Sequence, residues 1–111
     1  MTKDQLLAYR PMRQETQDIE RRLRSIERLP EPDRAVLEPL RALYTAKLAE
    51  LVEAQVRIET ALSKLTPVER SLIRFRYFDG LEWHQVCHRI HYEWRQTHRI
   101  HARALDKLSV L

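Results

Sequence analysis

Glycine is nearly absent. Gly80 is the only one in 111 residues. Sheets with tight hairpins draw on glycine for positive φ, so so glycine-poor a chain argues against them. Cysteine is equally scarce: Cys87 stands alone, which excludes an internal disulfide and points to a reducing, cytoplasmic setting. The sequence has no run of about 18 apolar residues that could cross a membrane. The opening stretch MTKDQLLAYRPMRQE is too polar for a secretory signal peptide. Leucine, alanine, glutamate, arginine and glutamine are plentiful instead, and these are good helix formers. The expected class is all-α, and a charged fraction of 32% makes the helices amphipathic.

The net charge is +4 and the pI about 9.6. This basicity is modest, and its placement is more informative. Residues 1–29 carry seven Lys/Arg and five acids, residues 30–64 five and six, and residues 65–111 eight and five together with every histidine. A basic C-terminal part suits a polyanionic partner. Arginine outnumbers lysine by 16 to four, and arginine suits bidentate contacts to phosphate and guanine. A GC-rich genome would produce the same bias.

Two proline sites, Leu29–Pro32 and Leu65–Pro67, divide the chain. In the first segment Met12, Thr16, Ile19, Leu23 and Ile26 follow each other at steps of four and three, a heptad-type stripe. Pro11 either kinks this helix or starts it; the preferred reading is a helix from about Pro11 to Arg28 with a shorter helical turn before it. In the second segment Leu37, Leu40, Tyr44, Leu48, Leu51, Gln55, Ile58, Leu62 and Leu65 share a face. Asp33 is the expected N-cap and Pro39 falls in or near the first turn, with the helix ending near Lys64. A short turn between two such helices implies an antiparallel, coiled-coil-like hairpin over residues 1–64. Such a hairpin buries too little to stand alone. A homodimer is the first choice for what covers it, and the core of a monomeric bundle is the alternative.

Residues 65–111 read as a second domain of three helices. Thr66 as N-cap, Pro67 at N1 and Glu69 in capping-box position start the first. Gly80 ends it, at the position after a last helical turn where left-handed φ is needed. Trp83, Val86, Cys87 and Ile90 form the inward stripe of a helix from Glu82 to Ile90. A break at His91–Glu93 follows, and then a last helix from Trp94 to Leu108. The expected inward face of that helix is Thr97, Ile100, Ala104, Leu105 and Leu108. Its other face carries Arg95, Gln96, His98, Arg99, Ala102 and Arg103. Helix, short turn, and a helix with a basic outer face is the helix-turn-helix arrangement.

Leu65–Leu108, and above all "LTPVER", "RYFDGLEW" and "RIHARALDKL", resembles the region-4 helix-turn-helix of sigma-70-type factors. With a helical hairpin ahead of it, the whole is similar to phage-encoded transcription regulators of the ArpU/RinA type. The pattern departs at the turn, where His91-Tyr92-Glu93 stands for the usual G-[IV]-S. The resemblance implies that the helix from Trp94 enters the major groove of double-stranded DNA. Arg95, Gln96, His98 and Arg99 would then lie nearest base edges, while Arg103 and Arg89 would face phosphates. It implies transcription control as the function. A small-terminase-like packaging subunit, or a module that binds RNA polymerase, are the alternatives. Histidines along such a face would tighten binding as pH falls below about 6.5.

The segment "HQVCH" places His84 and His88 one turn apart, a spacing that can clamp zinc. A zincin needs glutamate in H-E-x-x-H as its general base, and Gln85 cannot take a proton there. Cys87 reads as a small packed hydrophobe. No metal, no cofactor and no catalytic set is expected, so the chain reads as a binder rather than an enzyme.

Overall fold

The computed structural model describes residues 1–111. It is all-helical: α1 Lys3–Glu27, α2 Asp33–Val36, α3 Glu38–Leu62, α4 Pro67–Ile73, α5 Trp83–Ile90 and α6 Trp94–Ser109, with a π-helical stretch Arg74–Phe78 continuing α4.

The proline expected to open the first helix lies inside it. α1 runs unbroken through Pro11. An interior proline costs about 3 kcal/mol because it removes one N–H and crowds the carbonyl four residues back. That carbonyl belongs to Leu7, and Leu7 and Pro11 are both exposed, so water can replace the missing donor. Buried side chains hold the helix on either side, Leu6 and Tyr9 before the proline and Thr16, Ile19 and Ile26 after it. The second segment also starts differently from expectation. Asp33 lies within the first turn of the short α2, after Pro32, and does not cap α3. Pro39 sits in the first turn of α3, where a missing N–H is harmless.

The chain divides into two compact units, Pro11–Val56 and Met1–Arg10 with Arg57–Leu111. Within Pro11–Val56, Thr16, Ile19, Ile26 and Leu51 are buried. Met12, Leu23, Leu37, Tyr44 and Leu48 are half-buried along the anticipated stripes, and Leu40 is exposed. Gln55 Nε2 donates to Thr16 Oγ1 at 2.6 Å, and the Arg22 guanidinium lies 5.7 Å from the Tyr44 ring centre. These pairs match earlier residues of α1 with later ones of α3, the order of antiparallel helices.

The second unit does not begin at Leu65, where the sequence pattern placed the boundary. It takes in the first ten residues and the end of α3 because their apolar side chains belong to its core. Leu6, Tyr9, Ile58, Ala61 and Leu62 are buried along with Leu72, Ile73, Tyr77 and Phe78. Tyr9 stacks on Phe78 with ring centres 3.8 Å apart and donates through Oη to Glu59 Oε1 at 2.8 Å. Arg74 clasps the same Glu59 carboxylate with both terminal nitrogens.

Two neighbouring aromatics, Tyr77 and Phe78, lie in the π-helical stretch. In a regular α-helix successive side chains diverge by about 100°. A wider turn with i→i+5 bonding narrows that angle, and Asp79 N–H donates to Arg74 O at 2.9 Å in this pattern. Tyr77 and Phe78 are both buried. Gly80 then ends the helix with φ 71°. A side chain there would also meet the Arg10 guanidinium, which packs over the glycine.

Candidate nucleic-acid interface

The scaffold of the site starts at α4. Thr66 Oγ1 accepts from Glu69 N–H, and Glu69 Oε1 accepts from Thr66 N–H at 2.9 Å, the expected capping box. Glu69 has a second role that local pattern does not show. Its side chain is fully buried, with Lys107 Nζ 2.7 Å from Oε1 and Arg103 Nε 3.3 Å from Oε2. Burial alone would push this carboxyl up. The hydrogen bonds from Lys107 and Thr66 and the charge of Lys107 together outweigh burial and hold it below the usual carboxylate value. One carboxylate therefore joins the start of α4 to the last turns of α6.

α5 and α6 are joined by the turn His91–Glu93. Glu82 N–H donates to Gln85 Oε1 at 2.9 Å at the start of α5. At its end His91 adopts left-handed φ of 62°, so a histidine occupies the conformation that glycine takes most easily. Tyr92 N–H donates to Cys87 O at 3.2 Å and Thr97 N–H to Glu93 O at 2.8 Å, which closes the turn onto both helices. A left-handed residue with a Cβ costs about 1–2 kcal/mol, partly offset by the freedom glycine adds to the unfolded chain. His91→Gly is therefore expected to raise stability by about 0.5–1 kcal/mol, read as a higher urea midpoint with an unchanged slope.

α6 buries Thr97, Ile100, Ala104 and Leu108, with Leu105 half-buried, as its periodicity implied. On the other side Arg95, Gln96 and Arg99 are exposed together. Arg89 is exposed on α5, with its guanidinium 5.7 Å from the Phe75 ring centre. Arg103 remains 61% exposed at its side chain, yet its Nε faces Glu69.

His98 is not grouped with the exposed set. It is half-buried, with its ring centre 4.5 Å from Trp83 and 4.5 Å from Trp94. The reason is helical geometry: Trp94, His98 and His101 follow at steps of four and three and form a flank of α6 against α5. His101 continues the cluster, 4.6 Å from Trp83 and with Nε2 2.6 Å from Tyr77 Oη. Arg76 lies 4.8 Å from the Trp83 ring centre. Those steps were visible in the sequence, but the partner rings on α5 and the π-helical stretch were not.

Burial lowers the His101 pKa to about 4, helped by the electrostatic influence of Lys3, His98 and Arg76 nearby. His101 therefore does not charge near pH 6.5 and cannot share in a tightening of anion binding there. It has a stability consequence instead. The unfolded chain takes a proton near pH 6.5 that the folded chain refuses until about 4, so folding is favoured above pH 6.5 and loses support as pH falls from 6.5 toward 4. Glu69 has a lower window: its contribution is present above the ordinary carboxylate range and is lost as pH drops through its own depressed pKa. A urea midpoint that falls between pH 7 and 5, less so in His101→Gln, is the expected result.

His84 and His88 are exposed, and His84 Nδ1 lies 3.3 Å from Glu82 Oε2. Cys87 is half-buried. No three His, Cys, Asp or Glu side chains converge as a metal cage, and no helix is long and apolar enough to cross a membrane. No family model, no curated protein and no solved structure matches this chain.

Proposed function

We propose that this chain is a sequence-specific DNA-binding regulator of transcription, phage or prophage encoded, that acts in the cytoplasm. The observation that carries the reading is the exposed side of α6. Arg95, Gln96 and Arg99 stand open to solvent there, and Arg89 is exposed on the preceding helix. Between Arg89 and Leu105 the only acid is Glu93. A rod of this kind suits the major groove, with arginine offered to guanine and glutamine to adenine. The hairpin would supply a homodimer. Val52 and Val56, one turn apart on α3, are 43% and 56% exposed, and a second copy would cover them there.

Selection of bound duplexes from a random pool, followed by a salt titration, tests the proposal. A two-fold symmetric motif would support both specificity and a dimer. The slope of log affinity against log salt should correspond to several released counterions. No salt-dependent retention of duplex DNA would end the reading. A ring of eight or more subunits in light scattering would favour a DNA-packaging subunit instead. Capture of RNA polymerase without DNA retention would favour a polymerase-binding module.

A further inference from the structure

We infer that Trp94 reads a pyrimidine 5-methyl group, thymine in unmodified DNA, at one position of the bound site; this rests on the DNA-binding reading of α6. Trp94 is the first residue of α6 and is 58% exposed. Tyr92 and Glu93 before it and Arg95 and Gln96 after it are exposed as well. A large indole held in water at that place gains nothing for the fold from its open part.

The indole is also held in place. Its ring rests on His98 with centres 4.5 Å apart, His98 rests on Trp83 at 4.5 Å, and Trp83 lies beneath Arg76 at 4.8 Å. A chain of tilted ring contacts thus runs from half-buried Trp83 to the exposed ring, which reduces the rotamer freedom left to lose on binding.

The floor of the major groove is almost entirely polar. Guanine and adenine present acceptors or a donor, cytosine a donor, and thymine the one apolar group, its methyl. An indole pressed on a polar base edge would strip water from a donor or acceptor and return no hydrogen bond. Pressed on a methyl, it buries apolar surface on both sides. The same helix turn that offers Arg95 and Gln96 to polar edges therefore offers Trp94 to the position where the edge is not polar.

The probe is a duplex recovered from the random pool, with each thymine replaced singly by deoxyuridine, which lacks only the methyl. With the full-length protein, one such replacement, or each member of a symmetric pair taken singly, should weaken binding about fourfold, the value of one buried methyl group. Trp94→Ala should bind the thymine and deoxyuridine duplexes equally. Should that variant lose helicity, Trp94→Gln takes its place. A flat scan with the unaltered protein overturns the inference whatever the variants do. So does a methyl effect of unchanged size in a folded Trp94 variant. A pool that yields no bound duplex defeats the DNA reading itself, and this inference with it; that result is distinct from bound duplexes with a flat scan.

Discussion

Glu69→Ala is expected to destabilise the protein by about 3 kcal/mol, the largest effect of a single substitution outside the apolar core. Three losses combine. The substitution removes the bond to Thr66 N–H that completes the capping box, and one such hydrogen bond contributes about 1 kcal/mol. It also removes the partner of Lys107 Nζ and Arg103 Nε. Finally it empties a fully buried site, and a cavity adds its own penalty. The total stays near the lower end of the range for broken buried ion pairs because Lys107 and Arg103 are 41% and 61% exposed at their side chains and can turn to water. Glu69→Gln keeps the shape and one acceptor, so it should lose about half as much. Urea unfolding at pH 7 measures both. A change below about 1 kcal/mol for alanine would mean that the carboxylate tie carries no weight.

The second large effect concerns binding. Arg99→Ala should weaken specific binding by about 1–3 kcal/mol and relax the preference at a single base position, as expected of a bidentate reader of guanine. Arg99 is exposed on α6 and lies one turn after Arg95. Arg103→Ala should behave differently. It should weaken binding to all sequences alike and lower the salt slope by about one. Because Arg103 Nε also faces Glu69, its substitution should carry a stability loss that Arg99→Ala does not. Anisotropy titrations at several salt concentrations, paired with unfolding curves, separate the two roles. Equal base preference in both variants would show that neither arginine reads sequence.

How much of this could be read from the residues varies with the range of the interaction. Thr66-Pro67 and Glu69 marked a helix start, and Gly80 marked an end, because capping and left-handed φ are local properties of a few residues. The inward face of α6 was legible for the same reason: periodicity needs only the helix itself. Pro11 misled because the local rule sets a cost, and the burial of Leu6, Tyr9 and Thr16 on either side of it exceeds that cost. The π-helical stretch has no periodic signature of its own. Glu69 was recognised as a capping residue, but its second partner lies 38 residues away. His98 looked like one more polar residue on an outer face. Only the placement of Trp83 on the neighbouring helix shows that its ring is half-buried in a ring contact.

The division of the chain has a practical sequel. One compact unit is made of residues 1–10 and 57–111, and the other is 11–56. Topologically the hairpin is a guest spliced into its host, so no single cut releases the host intact. A fragment starting at Leu65 would discard Tyr9 and leave Phe78 without the ring stacked on it. The minimal version of the molecule is made by joining residue 10 to residue 57 with a short bridging loop, and trimming from either end cannot produce it.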